Sequence, residues 1–174
     1  MIFYLKCINC LFCIIFADMK IKLVLTGKTA KNYISSGMDE YGKRIKRYIS
    51  LETVEIETGK QVSNELSVVK KSEYKAQLKN IDTSDYIILL DEKGKSFNSV
   101  EFSGFIQQKM NESRKCLVFI IGGAYGFTEE MYSKADYNIS LSPLTFSHQI
   151  VRLVFMEQLY RAMTIIKGEP YHHI

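Results

Sequence analysis

The chain has 174 residues, of which 47% are hydrophobic and 24% are charged, values of an ordinary globular domain that exclude a disordered or collagen-like chain. A chain of this length makes one domain and buries enough surface to fold without disulfides. The formal net charge of +4 permits a polyanionic partner but does not require one.

The first eighteen residues differ from the rest of the sequence, because they are mostly apolar and hold three of the four cysteines (Cys7, Cys10 and Cys13). Three interpretations are open: an over-extended start with Met19 as the initiator, a secretion signal or lipid anchor, and a C-x-x-C-x-x-C metal site. We favour the first, since regular α/β patterning begins after Met19. Residues 1–18 are then an extension, and residues 19–174 form a single domain.

From Lys20 onward, short apolar runs alternate with longer segments of helical period, which is the pattern of an α/β domain. The predicted strands are residues 20–26, 51–57, 85–90, 115–121 and 136–140. The predicted helices are residues 30–48, 62–79, 99–112, 129–134 and 147–167. The third and fourth strands are apolar on both faces, which predicts a mainly parallel sheet with helices on both faces.

Three loops follow predicted strands at their carboxyl ends, where open α/β sheets bind ligands. They are residues 91–95, 122–126 and 141–146. The glycines of the second loop would let the backbone approach a ligand closely, although a tight turn without a ligand would explain them as well.

The last predicted helix is apolar around most of its circumference, which indicates burial on more than one side and, in a one-domain protein, a subunit interface. His148, Arg152, Glu157 and Arg161 are set into it. Glu157 and Arg161 have the spacing of an ordinary intrahelical ion pair, so that structural role stands beside a functional one. The chain has only three histidines and no cysteine near its C-terminus, so we expect no metal site.

Five segments then occur in a characteristic order and spacing: LDEKG at 90–94, FIIGGAYG at 119–126, SLSPLTFSHQ at 140–149, EQLYRA at 157–162 and YHH at 171–173. Together they resemble the ribosomal RNA large subunit methyltransferase H family of the SPOUT superfamily. The likeness covers the chain from Met19 to its end. Its departures are Lys93, where an arginine is common, and Pro143 in the last loop, while residues 1–18 have no counterpart.

The resemblance implies an S-adenosylmethionine-dependent enzyme that methylates N3 of a pseudouridine in helix 69 of bacterial 23S ribosomal RNA. It also implies a homodimer with a C-terminal trefoil knot. The cofactor would be held by Leu90, Gly122, Leu141, Ser142, Pro143, Leu144, Thr145 and Phe146. Such a site agrees with the chemistry, because a sulfonium cation and an adenine need close backbone groups and apolar walls rather than a phosphate cradle.

We expect Arg161, assisted by Glu157 and His148, to form the catalytic centre, with each site completed by the partner subunit. RNA contacts are expected from Lys43, Arg44, Lys46, Arg47, Tyr171, His172 and His173. A solvated helix face and a docked C-terminus are the structural alternatives for these two groups. The expected partner is 23S ribosomal RNA within the large subunit or whole ribosome, in the cytoplasm and away from membranes. The alternative function is a non-catalytic α/β RNA- or ribosome-binding module.

Overall fold

A computed structural model describes residues 19–57 and 65–172. The strands are β1 (Lys20–Thr26), β2 (Ser50–Ile56), β3 (Tyr86–Ser96), β4 (Cys116–Ile121) and β5 (Tyr137–Ser140). The helices are α1 (Asn32–Ile45), α2 (Leu66–Leu78), α3 (Ser99–Asn111), α4 (Glu129–Lys134) and α5 (Ile150–Lys167). The three interpretations of residues 1–18 and the predicted helix start at residue 62 lie outside the described residues.

All five strands are parallel and lie in the order β2-β1-β4-β3-β5. Alternate residues of β4 enter two separate apolar clusters, Phe119 with α1, α3 and α5 on one face and Val118 with α2 and α4 on the other. The predicted α/β fold, with a parallel sheet between two helical layers, is confirmed. No helix among the described ranges is long and apolar enough to cross a membrane.

Strand β3 is longer than predicted, because it continues past Leu90 to Ser96. Ile139 of β5 pairs with both Leu90 and Lys95, and the register shifts between these two residues. Gly94 passes so close to β5 that a Cβ there would lie 2.5 Å from the carbonyl carbon of Ile139. The chain therefore bends around the end of β5, and the polar residues 91–96 gave no apolar pattern from which this pairing could be predicted. The trefoil knot stays a prediction.

Helix α5 begins at Ile150, three residues later than predicted, and the N–H of Ile150 donates to Ser147 Oγ at 3.3 Å in the turn before it. The start of the helix is fixed by Arg152, which is fully buried. Its guanidinium donates to the carbonyl oxygens of His148 (3.0 Å) and Thr26 (2.7 Å) and to Thr29 Oγ1 (2.8 Å). Burial lowers the pKa of this side chain, and these acceptors replace the water that it loses.

We predict that Gly94→Ala lowers the free energy of unfolding by at least about 2 kcal/mol, because the new Cβ would overlap the backbone of β5. The matched control is Gly104→Ala in the middle of α3, where no atom lies within 4 Å of the added Cβ. This control should raise the free energy of unfolding by about 0.5–1 kcal/mol. Urea denaturation measures both, and equal stabilities for the two variants would refute the close approach at Gly94.

Candidate functional site

A cavity of about 530 Å³ lies at the carboxyl ends of β4 and β5 and against the middle of β3, from Leu90 to Lys93. Its lining combines the three loops selected from the sequence with Lys70 of α2, Tyr132 of α4 and Val151 of α5. The lining includes seven of the eight residues expected to hold the cofactor: Leu90, Gly122, Leu141, Ser142, Leu144, Thr145 and Phe146. Pro143 does not line the cavity, whereas His148 does.

The loop of residues 141–148 is shaped by its own hydroxyl groups. Ser140 Oγ donates to the carbonyl oxygen of Ser142 at 2.9 Å, and the N–H of Leu144 donates to Ser142 Oγ at 2.9 Å. Thr145 Oγ1 donates to Glu92 Oε2 at 3.1 Å, which joins this loop to β3 across the cavity. Leu144 and Phe146 remain 74% and 37% exposed, so the cavity has apolar surface at its mouth.

Side chains packed behind the loop of residues 122–126, which we call the glycine loop, leave little room for side chains at two of its glycines. A Cβ on Gly122 would lie 3.2 Å from the ring of Phe127, and a Cβ on Gly123 would lie 2.7 Å from Glu73 Oε2. Gly126 has a φ of +71°, and its N–H donates to the carbonyl oxygen of Gly123 at 3.2 Å. The positions of the two missing side chains therefore face Phe127 and Glu73, while the loop's backbone lines the cavity.

The polar side chains of the cavity carry both signs of charge. Asp91 is held in place, because the Tyr132 hydroxyl donates to its Oδ2 at 2.8 Å and the N–H of Lys93 donates to its Oδ1 at 2.9 Å. Burial, together with this bond, raises the pKa of Tyr132 well above its usual value. The other charged lining residues are Glu92, Glu129, Lys70 and Lys93. This mixture of carboxylates and lysines suits a ligand with separate cationic and anionic groups better than it suits a polyphosphate.

The other expected catalytic residues lie farther along α5. The ion pair that their spacing allows is present: Arg161 Nε donates to Glu157 Oε1 at 3.1 Å. Tyr171 Oη donates to the same oxygen at 3.2 Å, and Arg161 Nη1 lies 3.5 Å from His172 Nδ1. We call Glu157, Arg161, Tyr171 and His172 the tail cluster. A helix rises 1.5 Å per residue, so Arg161 lies about 15 Å along α5 from Val151 at the cavity.

The basic residues at the end of α1 adjoin the tail cluster. Lys43, Lys46 and Arg47 are exposed. Arg44 is engaged, because it pairs with Glu40 and its guanidinium carbon lies 5.7 Å from the ring centre of Tyr160. Tyr160 in turn packs edge-on against the ring of Tyr171, with ring centres 4.7 Å apart. His173 lies outside the described residues.

The structure thus separates the expected site residues into two groups. His148 and seven of the eight expected cofactor residues line the cavity, whereas Arg161, Glu157 and the described residues that are expected to bind RNA lie toward the other end of α5. Glu73 behind the glycine loop and Tyr132 in the lining were not predicted from the sequence, because they come from helices whose sequences are ordinary for exposed helices. Within the described ranges, no group of three or more His, Cys, Asp or Glu side chains is arranged to hold a metal ion.

Comparison with known proteins agrees with this geometry. Residues 19–172 match the family described as "Predicted SPOUT methyltransferase". The chain is 48% identical over 157 residues to the Ribosomal RNA large subunit methyltransferase H of Parabacteroides distasonis, covering 89% of this chain and 99% of that one. The corresponding protein of Christiangramia forsetii is 49% identical over 156 residues, with the same two coverages.

A solved structure shares the fold. The tRNA (m1G37) methyltransferase of Aquifex aeolicus superimposes with a TM-score of 0.55 at 19% identity, over 90% of this chain and 75% of that one. The chain belongs to the SPOUT methyltransferases and, among them, to the ribosomal RNA large subunit methyltransferase H family.

We predict that Gly122→Val abolishes binding of S-adenosylmethionine and also lowers the melting temperature, because the added side chain presses on the buried ring of Phe127. Ala124→Val is the matched control, since residue 124 is exposed in the same loop. It should leave the melting temperature within about 2 °C of the wild type. Calorimetric titration and thermal unfolding measure the two effects, and undiminished affinity in Gly122→Val would remove this loop from the site.

Proposed function

We propose that the chain transfers a methyl group from S-adenosylmethionine to N3 of a pseudouridine in helix 69 of bacterial 23S ribosomal RNA. The observation that carries the proposal is the cavity: it is lined by the loop residues that the family resemblance assigns to the cofactor. The names of the relatives supply the ribosomal substrate class.

The residues present fit this cofactor. A cavity of about 530 Å³ is within the usual range for small-molecule sites. Leu90, Leu144 and Phe146 offer apolar contact to an adenine ring, and the glycine loop offers backbone groups. Carboxylates and lysines in the same lining match a ligand that has a sulfonium, an ammonium and a carboxylate. When bound, the cofactor supplies an electrophilic methyl group.

The remaining chemistry belongs to the protein. N3 of pseudouridine has no available lone pair until its proton leaves, so the site needs a base and a group that stabilises the resulting anion. His148 lines the cavity and is the base in this proposal, since an imidazole nitrogen can accept the proton that leaves N3. Arg161, oriented by Glu157, donates to the carbonyl oxygen beside N3 as negative charge develops there.

Because Arg161 lies about 15 Å along α5 from the cavity of its own chain, we propose that the partner subunit of a homodimer supplies the tail cluster. The apolar side chains of Val151, Leu153 and Val154 support this arrangement. They are only half-buried in a single chain, and Val151 also lines the cavity.

The RNA would then contact the partner subunit near its tail cluster. Lys43, Lys46 and Arg47 are exposed for phosphate oxygens, whereas Arg44 is held by Glu40 and the tyrosine rings. Tyr171 and His172 offer rings and donors to a base that has left its stack. A ribosomal RNA substrate implies that the protein acts in the cytoplasm.

Purified protein, tritium-labelled S-adenosylmethionine and ribosomes from a strain lacking this gene test the proposal. We expect label in 23S RNA, and mass mapping should locate it at N3 of a pseudouridine in helix 69. Ribosome binding without methyl transfer and without cofactor affinity would instead establish the non-catalytic binding module.

We predict that Arg161→Ala lowers methyl transfer by about 100-fold and leaves the cofactor dissociation constant unchanged, because the guanidinium acts on charge that develops during the reaction. Arg114→Ala is the matched control, since it removes an exposed arginine at the opposite, amino-terminal edge of the sheet. Single-turnover assays measure the rate. A normal rate for Arg161→Ala would leave the Glu157–Arg161 pair a purely structural ion pair.

A further inference from the structure

Glu73 of α2 is a buried carboxyl group that lacks a full set of partners. Its residue is 6% exposed, and its Oε2 has no hydrogen-bond partner. Over the described residues, the other buried side-chain atom in this condition is Oδ1 of Asn138, which belongs to an uncharged amide. A buried acceptor without a donor costs about 1–3 kcal/mol, and more when the group is charged, so Glu73 calls for an explanation.

The position of Glu73 connects it with the glycine loop. Its carboxylate lies against Gly123, where a Cβ would be 2.7 Å from Oε2 and 2.8 Å from the carboxyl carbon. Gly123 lines the cavity, and so does Lys70, one turn earlier on α2. The absence of a side chain at residue 123 is therefore what allows the carboxylate to reach the back of this loop.

Gln77, one turn after Glu73, is a buried polar side chain that has a hydrogen-bond partner. It is 2% exposed, and its Nε2 donates to Thr26 Oγ1 at 3.0 Å. The helix thus buries two polar side chains at the same edge of the sheet, and only the one that faces the glycine loop has an oxygen without a donor. A structural role explains Gln77 but leaves Glu73 unexplained.

The energetics also argue against a structural role for Glu73. Burial raises the pKa of its carboxyl group, and the charge of Lys70 offsets this only in part. A raised pKa in the folded chain means that ionisation near neutral pH opposes folding. Groups that are kept at a cost in stability are concentrated at functional sites.

We propose that Glu73 is a positioning residue of the cofactor site. Its Oε2 accepts a hydrogen bond from backbone N–H groups of the glycine loop when this loop closes on the cofactor. Glu73 then acts through Gly123 and fixes the backbone that lines the cavity. The inference rests on the proposed cofactor, and it adds a second residue of α2, next to Lys70, to the residues around the cavity.

Glu73→Met tests the proposal, because it keeps the length of the side chain and removes the acceptor. We expect the melting temperature of the cofactor-free protein to stay unchanged or rise, since an unpartnered buried carboxyl group is lost. We expect the dissociation constant for S-adenosylmethionine to increase about tenfold or more. A purely structural role would instead lower the melting temperature and leave the affinity unchanged, which would overturn the proposal.

Glu73→Gln is the conservative variant. It retains an acceptor oxygen at the same position, so it should recover most of the affinity that Glu73→Met loses. Gln77→Leu is the matched control on the same helix: it removes the bond to Thr26, so it should lower the melting temperature and leave the affinity unchanged. The reverse pattern for these two positions would contradict the assignment.

Titrating the protein with three ligands distinguishes a failure of the role proposed for Glu73 from a failure of the proposed function. If Glu73 acts by positioning the loop, Glu73→Met should lower the affinity for S-adenosylmethionine, S-adenosylhomocysteine and 5′-methylthioadenosine by the same factor. A loss limited to the first two ligands would show a direct contact with their amino-acid portion, and it would overturn loop positioning. If the wild-type protein bound none of the three, the proposed function itself would fail.

Discussion

The buried guanidinium of Arg152 fixes the relation between the sheet and the last helix. It donates to Thr26 at the end of β1 and to the carbonyl oxygen of His148, just before α5. The start of α5 is thereby held at the carboxyl edge of the sheet, beside the cavity. The helix is continuous from there to Lys167, so its rise of 1.5 Å per residue carries Arg161 about 15 Å along the axis from Val151 at the cavity. The division of the site into two ends follows from this anchor.

The carboxyl edge of the sheet differs in composition from its interior. Strand β4 is buried along its whole length between two apolar clusters, which supply most of the hydrophobic stabilisation. At the carboxyl edge the same strands give way to glycines, hydroxyl groups and carboxylates. The carboxylates at this edge differ in their hydrogen bonding: two donors hold Asp91, whereas one oxygen of Glu73 has no partner. Hydrophobic stabilisation is concentrated in the interior of the sheet, and the proposed cofactor site lies at its edge.

The sequence predicted the sheet well, because buried parallel strands are continuous apolar runs between turns. It predicted β1 to the residue and the other strand starts to within one residue. It failed at the end of β3, where pairing depends on Gly94 lying against the backbone of β5 rather than on any pattern in residues 91–96. Such pairing is a tertiary contact, and hydrophobic periodicity does not report it.

For the site, the rule that ligands bind beyond strand ends and the family resemblance selected the same loops, and the structure brings these loops to one cavity. Neither source selected Glu73 or Tyr132, because their neighbours in sequence are ordinary for exposed helices. Pro143 was selected with its loop, yet it does not line the cavity. Two of the three predicted loops are loops in the structure, whereas residues 91–95 continue β3. Which residues of a loop line the cavity depends on local hydrogen bonds such as those of Ser142.

If one subunit's cavity works with the other subunit's tail cluster, as proposed, two inactive variants should complement each other in a mixed dimer. Arg161→Ala keeps the cavity, and Leu144→Asp places a charge in the cavity wall at an exposed position that the fold tolerates. Co-expressed in equal amounts and confirmed as dimers by sedimentation, the pair should recover about a quarter of wild-type methyl transfer, since half of random dimers are mixed and each mixed dimer has one intact site. Activity no higher than that of either variant alone would contradict a site shared between subunits.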